Sequence, residues 1–115
     1  MQRFFQLVFW LAIAATLFLA LREVTVRVPA SDKTQHAVVF FGLTGLAGLA
    51  YPRARFWATA IALSGFGALI EILQPYFGRD RDYRDWIADT IGIILAFVIV
   101  WMTRKLWSLR RNAPL

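Results

Sequence analysis

Four long apolar stretches, residues 4–21, 37–51, 56–77 and 86–103, take up most of this chain and limit what it can become. A helix that crosses a bilayer needs about 17–25 predominantly apolar residues. The first stretch meets that length unaided. The second meets it if its helix starts near Thr34, with Lys33 reaching outward along its alkyl stem. The third and fourth meet it only by taking in Glu71 and Asp89, which places both acids within membrane depth. Hydrophobic residues make up 59% of the 115, and the mean hydropathy is +0.56. Too little polar surface remains for a soluble domain. The expected fold class is all-α: one integral membrane four-helix bundle over residues 1–115, with transmembrane helices at about 4–22, 34–52, 55–76 and 86–107.

Arg3 ahead of an apolar run also fits a signal peptide. The run is longer than a usual signal core, and no small-x-small cleavage site precedes Arg22, so a retained helix is expected. Residues 22–31 form the one long connection, with a Val-Thr-Val-Arg-Val alternation that suits a short extended piece. Pro52-Arg53-Ala54-Arg55 reads as a tight turn, and residues 78–84 as a charged loop opened by Gly78. Gly42, Gly45 and Gly48 leave room for close helix contact, including contact with a second copy of the chain. Gly92 and Ala96 do the same on the last helix.

Of the 13 Lys and Arg, seven fall on the side of both termini (Arg3, Arg53, Arg55, Arg104, Lys105, Arg110, Arg111). The other six are Arg22, Arg27, Lys33, Arg79, Arg81 and Arg84. The majority, with Arg3 beside the first helix, leads to the expectation that both termini lie in the cytoplasm. The net charge of +6 lies at segment ends, with no basic face interleaved with aromatics, so nucleic acid is not an expected partner. The absence of cysteine excludes disulfides and thiolate chemistry.

Three polar clusters fall at one end of the bundle: Asp32-Lys33-x-x-His36, Glu71-x-x-Gln74 and Asp85-x-x-x-Asp89. Ionisable groups at membrane depth are costly and commonly mark a site. Asp32 and Asp85 lie near helix N-termini, where the helix dipole favours an anion, so capping accounts for both. Glu71 lies near a helix C-terminus, about 7–8 Å along the helix from Tyr76, where no cap explains it. It needs a partner, and Lys33, His36 and Arg79 are the candidates. Pro75 has no N–H to bond the Glu71 carbonyl, so the helix frays or ends there. His36 reads either as a helix-start histidine bonded to Asp32 or as an acid/base or ligand. Asp32, His36, Glu71 and Asp89 include metal-ligand types, but Lys33 and Arg79 among them argue against a metal, and no cofactor is expected.

These motifs resemble the VanZ-like family of small bacterial membrane proteins over residues 32–96. Asp32, Lys33 and His36 match the family's Asp-Lys-x-x-His, and Glu71 and Gln74 its Glu-x-x-Gln. Gly78, Arg79, Asp85, Thr90 and Gly92 match the motif that follows. Asp89 stands where the family usually has Asn, and Asp82 where many members have Ser. The resemblance implies a cell-envelope role linked to resistance to the glycopeptide teicoplanin.

The expected function is a polar outer-leaflet pocket built from Asp32, Lys33, His36, Glu71, Gln74, Arg79, Asp85 and Asp89. It would bind a lipid head group, a cell-wall precursor or a lipophilic antibiotic, with Lys33 and Arg79 meeting phosphate or carboxylate. The alternatives are an intramembrane enzyme acting on a lipid or lipid-linked substrate, with His36 or Glu71 as acid/base, and a purely structural bundle held by polar contacts.

Overall fold

The computed structural model describes residues 1–22, 32–78 and 83–112. These residues form helices and turns, with no strand among them. The helices are α1 (Gln2–Leu21), α2 (Asp32–Ala50), α3 (Phe56–Leu73) and α4 (Tyr83–Asn112), and a 3₁₀ turn at Gln74–Phe77 extends α3. The alternating Val-Thr-Val-Arg-Val segment and Arg79 both lie outside the described residues.

Local chemistry sets the ends. α2 stops at Ala50, two residues short of the expected 52, because Pro52 disfavours helical backbone at Tyr51. The chain then turns tightly, with the Ala54 N–H donating to the Tyr51 carbonyl at 3.1 Å. At Pro75 the α-helix gives way to the 3₁₀ turn, as the missing N–H requires, and Gly78 ends it in the left-handed region at φ 78°. α4 is longer at both ends than the expected 86–107. No proline interrupts residues 83–112, so nothing in the backbone stops the helix earlier.

The order is up-down-up-down. Gln2 and Gln6, at the start of α1, donate their side-chain amides to the carbonyl of Ala50 at the end of α2, at 3.3 and 3.2 Å. One turn on, the Trp10 indole N–H donates to the Tyr51 hydroxyl at 2.7 Å. α3 runs antiparallel to α4, with Phe56 against Phe97 at one end and Ser64 against Thr90 further along. α2 runs parallel to α4: Lys33 meets Asp85, His36 meets Asp89, and Ala37 meets Gly92. The α2–α4 contact is the closest in the bundle. A β-carbon at Gly92 would collide with the Ala37 carbonyl oxygen.

The core lies between α2, α3 and α4. Phe40, Leu43 and Ala47 of α2 are buried with Leu63 and Ile70 of α3 and Ile93 of α4, and Phe9 of α1 joins them. The outside is as apolar as the inside: Phe18, Ile61 and Leu106 are 69%, 66% and 63% exposed. An exposed apolar surface on this scale needs a cover. Three of the helical segments, Gln2–Leu21, Phe56–Phe77 and Tyr83–Asn112, are long and apolar enough to cross a membrane.

Candidate functional site

The up-down-up-down order brings the end of α1, the start of α2, the end of α3 and the start of α4 to one end of the bundle. The described members of the three polar clusters meet there. Small residues make the meeting possible. Gly92 lets α4 lie on the backbone of α2, and one turn earlier this sets Asp89 beside His36. Gly67 of α3 leaves the space that the other Asp89 oxygen fills; a β-carbon at that position would lie 2.6 Å from Asp89 Oδ2.

His36 Nδ1 lies 2.8 Å from Asp89 Oδ1. Its Nε2 lies 3.7 Å from Asp85 Oδ2, a charge contact rather than a hydrogen bond. Lys33 Nζ lies 3.5 Å from Asp85 Oδ1. The Asp89 side chain is 1% exposed and that of His36 14%, whereas Lys33 is 41% exposed and reaches the surface. The cluster therefore grades from a buried carboxylate, through a partly buried imidazole, to an accessible ammonium.

The register that sets Gly67 against Asp89 puts Glu71, one turn further along α3, at the level of Asp85, one turn earlier on α4. Glu71 and Gln74 are both buried. Gln74 donates its side-chain N–H to the Ala20 carbonyl at 3.3 Å, tying the 3₁₀ turn to the end of α1. Its Oε1 is buried and accepts no hydrogen bond among the described residues.

His36, read as a partner of Asp32 or a site base, bonds across helices to Asp89. Asp32 opens α2, and its side chain lies outside the described set. Asp85, read as a cap, does lie in the first turn of α4, yet its carboxylate is buried and meets Lys33 and His36. The Trp86 indole N–H donates to the Ser64 carbonyl at 3.0 Å and to Ser64 Oγ at 3.1 Å, tying α4 to α3.

Gly67 and Ser64 were not singled out in the sequence, although both share a face of α3 with Glu71 at helical spacing. The hydroxyls of Ser64 and Thr90 are 3.2 Å apart and bond each other, not His36. Among the described residues no group of three or more His, Asp or Glu is disposed to hold a metal ion. What the arrangement offers is a buried carboxylate bonded to a partly buried imidazole, a partly exposed cation, and a buried amide oxygen without a donor among the described residues.

The chain matches no protein-family model, no curated protein and no solved structure.

Proposed function

We propose that the chain is a four-span membrane protein of the VanZ-like kind, in the inner membrane of a bacterium with both termini in the cytoplasm. Its polar cluster is the binding site for the head group of an amphipathic molecule: a lipid, a cell-wall precursor or a lipophilic antibiotic of the teicoplanin type. The fourth span is α2. Its 19 residues rise about 28 Å, close to the roughly 30 Å of a bilayer core, and it packs between helices of spanning length.

The observation that carries the reading is Gln74 Oε1. A buried acceptor without a donor costs about 1–3 kcal/mol, and a head group with a hydroxyl or amine supplies the donor. Lys33, partly exposed at the same end of the bundle, suits phosphate or carboxylate. Arg79 joins it in the role that the family resemblance implies. The stripe of Gly42, Gly45 and Gly48 faces open space and is left to lipid or to a second copy of the chain.

A second reading, in which the cluster only ties helices together, draws on the His36–Asp89 pair, which joins α2 to α4 entirely within the protein. Thermal unfolding in detergent separates the two. Polar lipid extract from bacterial membranes should raise the melting temperature of the wild type. Gln74→Leu should abolish that rise and leave the basal value near wild type, because a lost amide hydrogen bond and a relieved acceptor offset at about 1 kcal/mol each. No rise in the wild type would favour the structural reading.

A further inference from the structure

The other end of the bundle carries a second, separate feature. A groove of about 460 Å³ lies between α3 and α4. Phe56 and Ala60 of α3 face Ile93, Phe97 and Trp101 of α4 across it, and Arg104 stands at its far end. Phe56 and Phe97 meet edge-on, with ring centroids 5.6 Å apart, and shape one wall. Lys105 Nζ sits 4.8 Å from the centre of the Trp101 ring, beside Arg104. Arg55 precedes Phe56 as the N-cap of α3. The groove is thus an apolar slot with cations at its mouth.

Charge decides what fits. The chain has seven Asp and Glu, and none falls within residues 1–10, 50–59 or 97–112, the segments that form this end. Arg104 has no carboxylate partner among the described residues. The guanidinium is therefore open to an anion from outside the described residues. A guanidinium binds phosphate through two parallel N–H donors. The slot's volume lies within the roughly 300–1,000 Å³ of small-molecule sites, and its apolar walls suit a hydrocarbon chain. Tryptophan beside a cation is the pattern found at the head-group level of a bilayer.

We infer that this groove holds an acyl chain of an anionic phospholipid, with the lipid phosphate on the Arg104 guanidinium and Lys105 alongside. The inference rests on the membrane insertion proposed above, but not on the polar cluster binding anything.

The test is native mass spectrometry of the whole chain, released from micelles holding equal amounts of phosphatidylglycerol and phosphatidylcholine. Wild type should retain phosphatidylglycerol preferentially, and Arg104→Gln should lower that preference about fivefold. Ala60→Phe, which fills the slot and leaves every charge in place, should lower retention of the lipid as well. Arg110→Gln, beyond the groove, should behave as wild type. Equal retention of the two lipids by wild type, or equal losses in Arg104→Gln and Arg110→Gln, would overturn the inference. So would a change in oligomeric mass, rather than in bound lipid, for Ala60→Phe, since a second copy would then fill the slot. Flotation with vesicles after an alkaline wash reads insertion separately; its failure overturns the membrane reading and this inference together.

Discussion

Gly92→Ala should destabilise the protein more than any other single-methyl addition to its helices. The α2–α4 contact rests on the missing side chain: a β-carbon there meets the carbonyl oxygen, carbonyl carbon and α-carbon of Ala37. These are backbone atoms and cannot rotate away, so the helices must part. Overpacking of this kind costs about 1–3 kcal/mol, sometimes more, and alanine's better helix propensity returns about 1 kcal/mol at most. The separation also pulls Lys33 and His36 from Asp85 and Asp89, so bound amphiphile should be lost with stability. Gly65→Ala is the control, because a β-carbon there meets nothing within 4 Å. Thermal unfolding in detergent should show a large fall for Gly92→Ala and none for Gly65→Ala. Equal melting of the two would contradict the close packing of α2 on α4.

Asp89→Ala should be the most damaging change within the polar cluster. The carboxylate is 1% exposed, holds His36 Nδ1 at 2.8 Å, and fills the space over Gly67. Removing it leaves a partly buried imidazole nitrogen without that partner and a void against α3. An unsatisfied hydrogen-bonding partner costs about 1–3 kcal/mol, and the void against α3 adds to it. Asp89→Asn keeps an oxygen that can accept from Nδ1 and nearly the same volume, so its cost should stay near 1 kcal/mol. A double-mutant cycle with His36→Ala should give a coupling of about 0.5–3 kcal/mol. Additive losses would mean that the two side chains do not act as a pair.

Much of this architecture is legible in the sequence, for physical reasons. Apolar length marks the spanning segments. Pro52 and Pro75 mark where α-helix must stop, and the structure stops it there. Short connections at residues 51–55 and 78–82 force antiparallel neighbours, which brings the polar clusters to one end. Gly92 and Ala96 were readable as a close-packing face, and both are buried.

The pairing was not legible. Sequence spacing shows neighbours along one helix, so His36 pointed to Asp32; it does not show that the packing of α2 on α4 brings Asp89 within 2.8 Å of the imidazole. The small-residue stripe of α2 looked equally fit for packing, yet Gly42, Gly45 and Gly48 face open space. Spacing reveals that two backbones can approach, not which neighbour takes the place. The same limit hid Gly67, whose role is to leave room for an oxygen from another helix.

The most direct test of the central claim, that the polar cluster is a binding site, is mass spectrometry of the protein purified in mild detergent beside its Glu71→Gln variant. Both should accumulate. Wild type should carry an amphiphile that Glu71→Gln lacks and that Arg104→Gln retains, since the groove lies at the opposite end. The same adduct on wild type and Glu71→Gln, or none on wild type, would contradict the account.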